Sequence, residues 1–87
     1  MFVLVAYDVD EKRVAKVNKI LKKYLTWTQN SLFEGEITEG LLKQCMAEIA
    51  NKIDPAIDSL YVYKVANPKN IKKDIYGIEK DFESMFL

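Results

Sequence analysis

Phe2-Val3-Leu4-Val5-Ala6-Tyr7-Asp8-Val9-Asp10 is the stretch that decides the fold. Its first six residues, all apolar or aromatic, run unbroken into an acid, and the β-branched residues among them favour a strand. A half-exposed strand would alternate, so the run predicts a central strand buried on both faces. Asp8 then stands at its carboxyl end, where open sheets commonly place ligands and where a carboxylate needs water, a cation or a donor. A plainer role is also open, because aspartate is a favoured helix N-cap and Asp8 or Asp10 would serve the helix that follows.

That helix is predicted by Val14, Val17, Leu21 and Tyr24, which share one face, with Ile20 widening the stripe. Lys12, Lys16, Lys19 and Lys23 recur at i, i+4, i+7 and i+11 and form a basic ridge on a second face. Exposed lysines usually do no more than solvate a helix. Four of them on one face without a compensating acid also suit a polyanion.

Beyond the helix, Leu25 to Ile37 alternates through Leu25, Thr26, Trp27 and Thr28 and breaks at Gln29-Asn30-Ser31, which predicts two short strands with a turn or bulge at Asn30. Gly35 within the second strand signals a bulge or a close backbone approach. Thr38 is placed to cap a second helix, with Ile37 and Leu42 as its hydrophobic staple. Leu42, Cys45, Met46, Ile49 and Ile53 mark the buried face, and Asp54-Pro55 is the expected stop. Ser59 to Val65 is a further strand, and Ala66 to Asn70 a turn. The order strand, helix, strand, strand, helix, strand is the α+β ferredoxin-like βαββαβ arrangement, an antiparallel sheet with two helices on one face.

Composition narrows the chemistry. Eighty-seven residues make one domain, small enough to gain from association, so a homodimer is expected. There is no histidine and only one cysteine, Cys45, which excludes histidine-based nucleophilic triads and a cysteine-built zinc site within one chain. Carboxylates are left for acid-base or metal work, and any metal should be a hard one such as Mg²⁺ or Mn²⁺. No stretch has the roughly 20 apolar residues of a membrane span, and no leader is apparent, so a cytoplasmic protein without membrane contact is expected. Thirteen basic and thirteen acidic residues cancel, yet residues 11–23 hold six basic groups against Glu11 alone. A neutral protein with one basic face still attracts nucleic acid.

Tyr7-Asp8-Val9, Arg13-Val14-Ala15-Lys16-Val17, Gln29-Asn30-Ser31-Leu32-Phe33-Glu34-Gly35, Leu60-Tyr61-Val62-Tyr63 and Ile75-Tyr76-Gly77 together resemble the small CRISPR-associated adaptation proteins, protein two of the core set. The resemblance spans about residues 1–78, leaving 79–87 as a tail. It implies a homodimer that acts beside an integrase subunit in acquiring new spacers, as a metal-dependent endonuclease of RNA or DNA. Asp8 matches the family's metal ligand and would be the catalytic centre with Mg²⁺ or Mn²⁺. Lys12, Arg13, Lys16, Lys19 and Lys23 are the expected nucleic-acid contacts, although Val9 to Arg13 is shorter and more acidic than the arginine-rich opening common in the family. A non-catalytic DNA-binding scaffold of the integrase complex is the main alternative. A small-molecule regulatory module is a further one, for which a lysine ridge has no use. Lys72 to Gly77 is too polar and too late to be a core strand of its own subunit, so reciprocal exchange of residues 71–77, with Ile75 and Tyr76 in the dimer interface, is expected.

Overall fold

The computed structural model describes residues 1–80. The chain runs β1 (Phe2–Asp8), α1 (Glu11–Tyr24), β2 (Thr26–Gln29), β3 (Leu32–Glu36), α2 (Glu39–Ala50), β4 (Ser59–Val65) and a 3-10 turn (Pro68–Asn70). The four strands form one sheet in the order β2-β3-β1-β4, antiparallel at every pairing. This is the ferredoxin-like topology, and the central place of β1 is as expected.

The two faces of β1 are unequal. Val3, Val5 and Tyr7 are buried, whereas Phe2, Leu4 and Ala6 between them are only half-covered and Asp8 is exposed. Both helices lie on the first side, so among the described residues no helix covers the strand's second apolar face, which corrects the expectation of a strand buried on both faces. Residues paired across neighbouring strands share a face, so Leu4 lies beside Tyr63 and Glu34, and Ala6 beside Tyr61 and Leu32. Tyr61 and Tyr63 remain 60% and 53% exposed on this open face.

The core lies between the sheet and the helices. Val17, Ile20 and Leu21 of α1 and Leu42, Cys45 and Ile49 of α2 bury against Val3, Val5, Trp27 and Phe33. Thr38 caps α2 by accepting from the Leu41 N–H at 3.2 Å. The helix ends at Ala50 rather than running on to Asp54-Pro55. Lys52 and Ile53 both turn back to the Ile49 carbonyl, so Ile53 packs on the core from a turn instead of a helix.

In the β2-β3 hairpin Asn30 adopts φ 38°, left-handed backbone that asparagine tolerates. The register shifts between Trp27 and Gln29, which locates the bulge in β2 and not at Gly35. Nor does a close backbone approach explain Gly35, since a Cβ there would meet Leu25 Cδ2 at an ordinary 3.4 Å; its φ of +156° is what favours glycine.

Past the 3-10 turn, residues 71–80 form no strand with their own sheet. Lys73 reaches Glu34 of β3 at 2.6 Å, and residues 73–80 flank the β2 edge across a groove of about 1180 Å³. Most of the expected tail, residues 81–87, lies outside the described residues.

Candidate active site and nucleic-acid face

Asp8 closes β1 opposite Ser59 of β4, on the same face as Phe2, Leu4 and Ala6. The capping role goes to Asp10, whose side chain accepts from the Lys12 N–H at 2.9 Å. Asp8 is thereby left exposed at the end of the open face, and among the described residues no cation is paired with it.

The link from Asp8 into α1 is held by a residue that sequence reading missed. Asp58 is the buried charged residue among those described, its side chain only 1% accessible. Arg13 Nε donates to its Oδ2 at 2.6 Å and Arg13 Nη2 to its Oδ1 at 3.0 Å. The backbone N–H groups of Asp10 and Asp54 donate at 3.0 and 2.8 Å. Arg13's hydrogen bonds, with those two backbone donors, overcome the cost of burial and hold the Asp58 carboxyl well below the usual carboxylate range. A signal was available in the sequence: Asp58 directly precedes an apolar strand and has no helix to cap.

The predicted nucleic-acid contacts divide in two. Lys12, Lys16 and Lys19 are exposed, and among the described residues no carboxylate pairs with them. Lys23 is held instead by Glu48 of α2 at 2.6 Å, where Tyr24 also donates its hydroxyl. Arg13 faces Asp58 rather than lying with the ridge. Ile75 is 47% and Tyr76 95% exposed, so one chain leaves both without cover.

As a cation ligand, Asp8 supplies a hard oxygen donor that suits Mg²⁺ or Mn²⁺. One chain completes no cage around it, since no group of three or more potential ligating side chains occurs among the described residues. The family described as CRISPR associated protein Cas2 matches residues 1–73. The chain belongs to the Cas2 family. It is 50% identical over 86 residues to a CRISPR-associated endoribonuclease Cas2 of Thermodesulfovibrio yellowstonii, covering 99% of this chain and 98% of that one. It is 42% identical over 80 residues to a CRISPR-associated endoribonuclease Cas2 of Thermotoga maritima, with 92% of each chain covered. Among solved structures, a Cas2 crystal structure superposes with TM-score 0.83 at 38% identity, over 92% of this chain and 90% of that one. Cas2 of Streptococcus pyogenes superposes with TM-score 0.78 at 29% identity, over 88% and 100% respectively. Cas2 membership makes the protein CRISPR-associated, and the names of its relatives support nuclease activity. No helix among the described residues is long and apolar enough to cross a membrane.

Proposed function

We propose that this Cas2 protein acts in spacer acquisition as a homodimeric, metal-dependent endonuclease of RNA or DNA, beside an integrase subunit. The observation that carries the reading is the position of Asp8, exposed and, among the described residues, without a paired cation, at the end of the sheet face that carries no helix. Two such faces packed together would cover Phe2, Leu4, Tyr61 and Tyr63 and bring two Asp8 carboxylates to one cleft. Two carboxylates that close resist joint ionisation unless a cation lies between them, which is the role for Mg²⁺ or Mn²⁺. When bound, such a cation would supply Lewis-acid chemistry at a phosphodiester, so hydrolysis would need no histidine. Asp8 holds the charge at the scissile phosphate, while Lys12, Lys16 and Lys19 bind the flanking backbone. Residues 71–77, with Ile75 and Tyr76, close the dimer by pairing with the partner's sheet edge.

Asp8→Asn keeps the side-chain shape and removes the charge. Purified variant should stay folded and dimeric and lose divalent-dependent cleavage of single-stranded RNA and duplex DNA; retained metal-dependent cleavage would refute the assignment.

A second reading, a non-catalytic scaffold that holds duplex DNA for the integrase, is favoured by the row of unpaired lysines beside a single carboxylate ligand per chain. On that reading wild type cleaves nothing above background, and Asp8→Asn binds duplex DNA as wild type does.

A further inference from the structure

We infer that Asp58 and Arg13 are positioning residues for Asp8, a clamp that fixes the backbone from which the strand-end carboxylate projects although neither is its neighbour in sequence. The inference rests on Asp8 being the cation's ligand. Asp8 lies at the last paired position of β1, and Val9 and Asp10 alone separate it from α1. Both sides of this short link are tied to one residue, Asp58. On one side the Asp10 N–H donates to Asp58 Oδ1 at 3.0 Å, and Asp10 in turn caps α1. On the other, Asp58 is covalently followed by Ser59, which is the cross-strand partner of Asp8.

The clamp is itself anchored from two further directions. Arg13 of α1 grips both carboxylate oxygens, and the Asp54 N–H holds Oδ2 at 2.8 Å, while the Asp58 N–H returns to the Asp54 carbonyl at 2.7 Å. Four donors on a buried carboxylate leave it little freedom, and charge-assisted hydrogen bonds of this kind are strong and directional. Strand end, helix start and the β4 entry are therefore one rigid junction, with Asp8 projecting from it onto the open face. The junction reaches Asp8 through the backbone, so it fixes the point from which the carboxylate projects, and a cation ligand carried on a rigid element binds better than one on a loose strand end. Arg13 thus serves through Asp58 rather than by touching phosphate.

The test uses the full chain as wild type, Asp8→Asn, Asp58→Asn and Arg13→Lys, with fold checked by circular dichroism and assembly by sedimentation. The probe is Mn²⁺ alone, titrated by electron paramagnetic resonance, followed by steady-state cleavage. Wild type should bind Mn²⁺ and Asp8→Asn should not. Asp58→Asn and Arg13→Lys, folded and assembled, should each bind about tenfold more weakly, with cleavage lost in kcat rather than KM. Wild-type Mn²⁺ affinity in both clamp variants would overturn the inference and leave the pair a structural one. If Asp58→Asn does not fold, Arg13→Lys decides by the same comparison, since it keeps the positive charge and both backbone donors and loses only the two-pronged grip. Equal Mn²⁺ binding by wild type and Asp8→Asn would overturn the site itself and the clamp with it, a result distinct from the first because there the Asp8 difference stands.

Discussion

Arg13 and Asp58, 45 residues apart in the chain, meet through two hydrogen bonds of 2.6 and 3.0 Å. Asp58 is held most strongly by the Arg13 guanidinium and then by the backbone N–H groups of Asp10 and Asp54, whose own carboxylates act on Arg13. The Asp58 carboxyl is lowered in the fold from an unfolded value near about 4. The stability it contributes is present above that unfolded value and is lost as pH falls through the folded one. Urea midpoints of wild type should therefore decline below about pH 4, and Asp58→Asn should be weaker at neutral pH with that part of the acid dependence missing. Parallel profiles for the two proteins would show that the ion pair contributes nothing to the pH response.

The lysine ridge makes a graded prediction. Reversing Lys16 and Lys19 to Glu should weaken duplex binding and reduce the slope of log affinity against log salt by about two, one phosphate contact for each lysine. Lys23→Gln should change the slope less, because Glu48 already holds that amine at 2.6 Å. Equal effects from Lys19 and Lys23 would show that nucleic acid displaces Glu48.

Truncation after Asn70 removes the segment that carries Ile75 and Tyr76. Sedimentation should then find monomer or aggregate at concentrations where the full chain is dimeric. A truncated protein that dimerises with undiminished affinity would place the whole interface on the open sheet face.

Phe33 is wholly buried, and Phe33→Ala should cost about 3–5 kcal/mol in chemical denaturation. Cys45 is also wholly buried in the core, and its thiol is pushed up to about 11, first by burial and then by Glu48. Native protein should resist a disulfide reagent at pH 8 and react at the rate of unfolding. Fast labelling of the native chain would reveal an opening of α2.

Much of this molecule is legible from its pattern of apolar residues. Helical spacing announces Val17, Leu21, Leu42, Cys45 and Ile49, and β-branched runs announce β1 and β4, because periodicity and burial are local properties of a chain. The end of α2 was less legible, since Lys52 and Ile53 satisfy themselves on Ile49 before the proline is reached. Asp8 could be singled out by its place after an apolar run, but which aspartate caps α1 depends on backbone geometry. Asp58 offers only a faint local signal, an acid before an apolar strand with no helix to cap, because its meaning comes from Arg13 across the fold and no local rule connects them. The open face of β1 was misjudged for a related reason: an apolar run reports that both faces seek cover and cannot say which chain supplies it.

The pairing of β1 with β4 also sets the order in which the molecule can be made. The central strand takes its neighbours from β3 and from β4, so Phe2 waits for Val65. Helix α1 and the β2-β3 hairpin are built from nearby residues, whereas completion of the sheet closes a loop across most of the chain, and such nonlocal pairing slows folding. During synthesis the first apolar strand leaves the ribosome long before its second neighbour exists. The Cas2 fold is therefore completed late, and the nascent chain must keep its amino-terminal strand from other unpaired edges until β4 arrives.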